Sequence, residues 1–392
     1  MTQRRNRRAG VEDRWRKADG SPSANDGKGM RWRARYVDDA AREHSKAFAR
    51  KVDAQAWLNE ITSTIVTGTY VAPGAGNVTI EQMHEQWLGT QGHVKKSTRA
   101  TRESAWSVHV SVRWSDVRLV DVQTSAVRAW VAELATDQPA RKASSAATIE
   151  NALGVLRMVC ALGVEDRRIP RNPCDGVKAP RRQHSDRAYL SHQEVDELAR
   201  TVSRDGLVIR FLAYTGLRYG EMAALRVQDF DMLRRRVNVR QSVTEVKGGL
   251  VWSTPKTHER RTVPFPKMLA DQLAERMEGL SRGELVFQAP KGGVLRIATF
   301  RTRILKPAVA LLQGLDDEHD EPQTDWPRPT LHDLRHTAAS LAISAGANVK
   351  AVQTMLGHKS AAMTLDTYAD LFPDDLEAVA DALDAACAAA LA

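Results

Sequence analysis

Two stretches that regular structure cannot absorb divide this chain. VAPGAGN (Val71 to Asn77) and RIPRNPCDGVKAPRRQHSDR (Arg168 to Arg187) crowd proline, glycine and polar residues between long periodic segments. Proline removes a backbone donor and glycine admits tight turns, so both stretches read as linkers. The segments around them must bury their own cores, and 392 residues suffice for two or three domains. The expected order is a basic flexible arm (1–29), a small sheet-and-helix domain (30–72) and a helical domain (78–177). A basic extended linker (178–188), a mixed domain (189–372) and a C-terminal helix (373–392) follow.

Local signals fill in this frame. In RWRARYVDD, Trp32, Ala34 and Tyr36 alternate with Arg31, Arg33 and Arg35, which predicts a strand with one apolar and one cationic face. HSKAFARK supplies a second strand. DAQAWLNEITSTIVTGTY reads as a helix with Ala54, Trp57, Leu58 and Ile61 on one stripe, closed near Gly68. The helical domain repeats apolar residues at helical spacing and carries Lys95, Lys96 and Arg99 on or beside one helix. Beyond the second linker, LSHQEVDELARTV and DGLVIRFLAYTG are helices, the second stopped by Gly216. RRVNVRQS, GLVWST and RRTVPF are short strands, turned at Lys247-Gly248-Gly249 and at Pro255 to His258.

Charge narrows the partner. The formal net charge is +9, and up to Lys51 fifteen Lys and Arg stand against seven Asp and Glu, whereas no Lys or Arg follows Tyr368. Such asymmetry favours local contact with nucleic acid over a uniformly solvated surface. Cys160, Cys174 and Cys387 are too scattered for a disulfide framework or a cysteine zinc site, which fits a reducing cytoplasm. MTQRRNRRAG has no apolar stretch behind its charges, so it does not read as a secretory signal, and no apolar run reads as a membrane span.

The richest stretch runs from Thr330 to Tyr368. Thr330 caps a helix with Asp333 three residues on, and Leu331, Leu334, Ala338 and Leu341 face a core. His332 and Arg335 share one face, Gly346 and Gly357 stop successive helices, and His358 precedes Tyr368 by ten residues. Upstream, Gly216 places Arg218 at a tight turn with Glu221 three residues on to orient it, and Lys256 sits on a hairpin tip. The set Arg218, Lys256, His332, Arg335, His358 and Tyr368 is mostly cationic donors around one nucleophile. No carboxylate cluster is available to hold magnesium, so metal-free phosphodiester transesterification, with no cofactor, is the chemistry it suits. Paired arginines grip non-bridging oxygens, a tyrosine attacks, and a lysine protonates the leaving sugar oxygen.

The boxes TGLRYGEMAAL, TPKTHERRTVPF, LHDLRHTAASLAISAGANVKAVQTMLGHKS and MTLDTYADLF resemble, in order and spacing, those of the tyrosine recombinases, specifically phage-type integrases of actinobacterial phages and integrative elements. The resemblance implies an α+β multidomain tyrosine recombinase fold: a small β-sheet-plus-helix arm-binding domain, an all-α core-binding domain and a mainly α catalytic domain with a small antiparallel sheet. It implies that Tyr368 attacks the scissile phosphate to give a 3′-phosphotyrosine, that Arg218, Arg335 and His358 bind its oxygens, and that Lys256 protonates the 5′-oxygen. His332 would assist proton transfer at the tyrosine, Glu221 would support Arg218, and His336 and His258 read as neighbours only. The implied partners are double-stranded DNA with core-type and arm-type sites, a homotetramer, a DNA-bending host factor and an excisionase. No membrane partner is implied, and the expected location is the bacterial cytoplasm, at the nucleoid. Arg31, Arg33, Arg35, Lys95, Lys96 and Arg99 are the expected DNA contacts, and a stripe of Leu376, Val379, Leu383 and Cys387 would dock on a neighbouring protomer.

Three other readings use parts of the set. A zinc hydrolase would take His332 and His336 at i and i+4 with His358 as third ligand, but leaves Arg218 and Tyr368 without a task. A non-catalytic DNA-binding regulator explains the charge alone, and a type IB topoisomerase shares the chemistry but not the separate arm domain.

Overall fold

The computed structural model describes residues 9–38, 40–139, 141–182, 188–254, 260–316, 319, 321–371 and 376–391. The chain divides into two compact units, Met1–Gln183 and His184–Ala392.

In the N-terminal unit a three-stranded antiparallel sheet joins β1 (Gly10–Asp13), β2 (Trp32–Val37) and β3 (Glu43–Phe48). The alternation in β2 works as expected, with Ala34 and Tyr36 buried against Ala54 and Leu58 of α1 (Lys51–Val66). Tyr36 and Tyr70 satisfy each other's buried hydroxyls at 2.8 Å. Strand β1 lies inside the stretch read as a flexible arm. Its Asp13 anchors Arg31 at 2.8 Å and its Glu12 pairs with Arg33 directly across the sheet, so two carboxylates turn a basic tail into an edge strand.

Helices α2 (Ile80–Gly89), α3 (Lys96–Ala105), α4 (Ser111–Trp114), α5 (Thr124–Leu134) and α6 (Ala146–Glu165) complete this unit. Thr79 and Gln82 form a reciprocal capping box at the start of α2. Ile80, Met83, Trp114, Leu119, Leu153 and Leu156 are central to the core. By length and composition α6 could cross a membrane, but Ile149, Leu153, Leu156, Val159 and Cys160 on it are buried within this unit. The basic linker does not leave freely. Arg157 on α6 donates to the Val177 carbonyl at 2.8 Å, and Arg182 pairs with Glu150 at 2.7 Å, so 177–182 folds back along α6.

The C-terminal unit opens with α7 (His192–Val202), α8 (Gly206–Thr215) and the single turn α9 (Tyr219–Met222). Strands β4 (Phe230–Asp231), β5 (Arg236–Val239) and β8 (Arg261–Pro264) make one sheet, while β6 (Ser242–Val246) and β7 (Gly249–Ser253) form a separate hairpin. The segment read as the single strand RRVNVRQS therefore ends at Val239, and the chain enters an unforeseen strand at Ser242. Helices α10 (Ala270–Met277), α11 (Ile297–Phe300) and α12 (Lys306–Leu312) follow. Last come α13 (Asp333–Ser344), α14 (Val349–Leu356), α15 (Ala361–Tyr368) and α16 (Leu376–Leu391). The apolar helix α8 lies in the main core with Leu331 and Leu334, and a second cluster joins Ala339, Ile343, Val352, Leu356 and Tyr368.

Truncating Leu156, fully buried on α6, tests the N-terminal core. Leu156→Ala is expected to cost about 2–5 kcal/mol, read as a lower urea midpoint for that unit.

Candidate active site

The site is assembled from helix ends. Helix α8 ends at Gly216 with φ +64, and α14 ends at Gly357 with φ +65, both left-handed conformations that favour glycine. A Cβ at Gly216 would stand 2.7 Å from Leu356 Cδ2, so the two helix ends meet closely. Buried Arg335 on α13 joins them: Nη1 donates to the Gly216 carbonyl and Nη2 to the Leu356 carbonyl, each at 2.6 Å. One guanidinium thereby caps two helix C-termini, where orphan carbonyls and the dipole both favour a cation. Thr330 and Asp333 set the start of α13 by exchanging backbone-to-side-chain bonds, at 2.8 and 3.3 Å.

Arg218 caps α9 and donates Nη1 to Glu221 Oε1 at 3.0 Å, the orienting contact expected from their spacing. Glu221 is only 1% exposed, and a second arginine shares it. Arg261 on β8, 7% exposed, donates Nη1 to Oε1 at 3.0 Å and Nη2 to Oε2 at 2.6 Å, a bidentate fork. Its Nε reaches the Met355 carbonyl at 3.2 Å, near the turn that presents His358. Arg261 thus ties the Arg218 turn to the His358 turn. Its role was missed in the sequence, although it alternates with buried Val263 and faces Val239 across the sheet.

Tyr368 ends α15 and is 2% exposed. Its hydroxyl lies 2.7 Å from His336 Nδ1, so His336 is no mere neighbour. His332 meets His336 edge-on at 4.9 Å between centroids, and the His358 ring lies parallel to Tyr368 at 6.3 Å. His358 Nδ1 pairs with Thr364 Oγ1 at 3.0 Å. His332 and Arg218 also line a cleft of about 300 Å³ beside Glu245 and Arg296. The structure therefore brings Arg218, Glu221, His332, Arg335, His358 and Tyr368 together, while Lys256 and His258 lie outside the described residues. Among the described residues no three His, Cys, Asp or Glu side chains form a metal-binding group.

Electrostatics follow from this crowding. Burial first, then the nearby Arg218 and Arg261, push Arg335 down to about 9, with Glu221 and Tyr368 opposing. Burial and then Arg335, Arg218 and Arg261 push His358 down to about 4. Burial works to raise Glu221, but Arg261 and Arg218 outweigh it and hold the carboxylate below its ordinary range.

The expected DNA contacts of the N-terminal unit are solvent-facing with mixed freedom. Arg35, Lys95 and Lys96 are exposed, and Arg33 and Arg99 are exposed but paired with Glu12 and Glu103. Arg31 is half-buried, bound to Asp13 and placed over the Trp32 ring at 5.1 Å.

Known proteins resemble this chain in sequence and in fold. Residues 188–374 match the phage integrase family. The phiRv2 prophage integrase of Mycobacterium tuberculosis is 29% identical over 351 residues, covering 86% of this chain and 88% of its own length. The integrase of Mycobacterium phage L5 is 26% identical over 358 residues, covering 86% and 90%. The Tn1549 transposon integrase, solved with a circular intermediate DNA, superposes with a TM-score of 0.64 at 20% identity over 78% of this chain and 99% of its own. A lambda integrase tetramer on a Holliday junction gives 0.56 at 18% identity over 83% and 93%. The fold and site define a tyrosine recombinase, an enzyme that transfers DNA strands site-specifically. Residues 188–374 form a phage integrase family domain, and the integrases named above extend the likeness over most of the chain.

Two outcomes test the geometry. Arg261→Met is expected to lower strand cleavage about 10–100-fold, and Arg261→Lys to restore little, because a point charge cannot reproduce the bidentate fork. Because His358 is pushed down to about 4 in the fold and titrates near ~6.5 unfolded, the unfolded chain binds the extra proton first. Stability is therefore complete above about pH 6.5 and declines toward about pH 4. His358→Asn should flatten that part of the melting-temperature profile.

Proposed function

We propose that this chain cleaves and rejoins double-stranded DNA at attachment sites through a 3′-phosphotyrosine, integrating and excising a phage or mobile element. One observation carries the reading: the Tyr368 hydroxyl sits on a helix packed against the helix that bears Arg335, within the same chain. Each protomer's tyrosine is then served by its own arginines. Tyr368 attacks phosphorus in line with the 5′-oxygen. Arg218 and Arg335 hold the non-bridging oxygens, each fixed by a partner that spares part of its guanidinium. His358, with Nδ1 engaged by Thr364, presents Nε2 to the same phosphate. Lys256 protonates the leaving oxygen. The proton of Tyr368 needs an acceptor among the two imidazoles of this segment, His332 and His336. The covalent intermediate conserves the bond energy, so resealing needs no nucleotide.

The remaining partners follow from the domain plan. The helical domain grips core-type sites and the small sheet arm-type sites, with Arg33 and Arg35 outward. Four protomers assemble on two duplexes, at the nucleoid of the bacterial host, with a DNA-bending host protein and an excisionase setting direction. Leu383 and Leu391 on α16, 66% and 83% exposed, supply apolar surface for docking on the next protomer.

The test incubates the full-length protein, with EDTA, on nicked duplexes tiling the DNA that flanks its own gene, followed by a denaturing gel. A protein–DNA band that vanishes in Tyr368→Phe is expected. A band that survives the substitution moves the nucleophile elsewhere. Relaxation of plasmids lacking such flanks would favour the topoisomerase reading.

A further inference from the structure

We propose that His336, and not His332, is the base that takes the proton from Tyr368. The inference rests on the recombinase reading above and names the residue that reading leaves open.

The geometry separates the two imidazoles. His336 Nδ1 is 2.7 Å from the Tyr368 hydroxyl oxygen, which is hydrogen-bond contact with the attacking atom itself. His332 lies one helical turn earlier and touches the His336 ring edge-on. With Arg218 it lines the cleft described above. Helical spacing explains the division: positions 332 and 336 share a face, and Arg335 between them turns into the core to cap α8 and α14. Tyr368 is buried, so bulk water is poorly placed to receive its proton.

The chemistry suits an imidazole. A phenol titrates near ~10 and an imidazole near ~6.5, so a neutral histidine in contact is a competent acceptor at neutral pH. With its proton on Nε2, Nδ1 accepts from the hydroxyl. As the Oη–P bond forms and the P–O5′ bond breaks, the phenolic proton passes to Nδ1, and the 5′-oxygen takes its proton from Lys256, the general acid proposed above. On resealing, the 5′-hydroxyl gives its proton back to Lys256 as it attacks phosphorus, the P–Oη bond breaks, and the imidazolium returns its proton to the departing tyrosine. No electrons change hands beyond the two bonds. Among the described residues, the titratable and charged groups around the pair include His332 on the same segment, Arg335 within electrostatic reach of Tyr368, and His358 against its ring.

The test measures single-turnover adduct formation on the same nicked duplexes from about pH 5.5 to 9. It compares the wild-type chain with His336→Asn and His332→Asn, each with tyrosine or site-specific 3,5-difluorotyrosine at position 368. His336→Asn is expected to slow adduct formation about 100-fold at neutral pH. Its rate should lose the wild-type acid limb, climb with pH as the phenol ionises unaided, and gain at least about tenfold from the more acidic fluorophenol. His332→Asn should keep the acid limb and gain no more from fluorination than the wild type. The assignment is overturned if the two variants exchange these behaviours, or if His336→Asn cleaves at the wild-type rate. It is equally overturned if His336→Asn is slow but indifferent to fluorination, which marks a positioning role. If His336→Asn does not fold, His336→Gln carries the same comparison. A wild-type chain that forms no adduct on any duplex overturns the recombinase reading and this assignment with it, so the two failures are distinguishable.

Discussion

The catalytic unit depends on one buried carboxylate. Glu221 accepts from Arg218, through both backbone and side chain, and from the two Nη groups of Arg261. An ion in the interior costs several kcal/mol unless it is paired and hydrogen-bonded, and here both oxygens are occupied. What Glu221 receives in return is structural reach. Arg218 belongs to the turn after α8, Arg261 to the sheet, and Arg261 touches the carbonyl of Met355 on the way to His358. A single carboxylate thus ties together three separate stretches of chain: the Arg218 turn, strand β8 and, through Arg261, the end of α14.

Among the described residues the same cluster carries more positive than negative charge. Arg218, Arg261 and Arg335 are three guanidiniums against Glu221, and their mutual repulsion adds to burial in lowering Arg335 and His358. In the recombinase reading proposed above, a bound phosphodiester relieves it. Its charge sits where the protein has already spent folding energy to hold donors apart from solvent, so little reorganisation accompanies the step to a more charged transition state. Binding DNA should therefore stabilise the unit as well as position the substrate.

Much of this was legible in the order of residues. Gly216 before Arg218, Gly357 before His358, and the Thr330–Asp333 cap each act within a few residues, and local backbone chemistry dictates them. Glu221 was readable as the Arg218 partner for the same reason. Arg261 and His336 were not, because their roles come from residues 40 and 32 positions away. The strand β1 escaped for a related reason: its composition is that of a solvated tail, and only pairing with Arg31 and Arg33 makes it a strand.

The sequence by itself determined which faces are apolar, where helices stop, and which side chains are candidates for a phosphate site, because periodicity, capping and charge are local properties. Tertiary structure decided which of those side chains touch one another. It placed two arginines on one carboxylate, set one guanidinium across two helix ends, and brought His336 against the tyrosine hydroxyl. Such contacts join residues remote in sequence, and their geometry exists only once the helices have packed around α8 and the short sheet has closed.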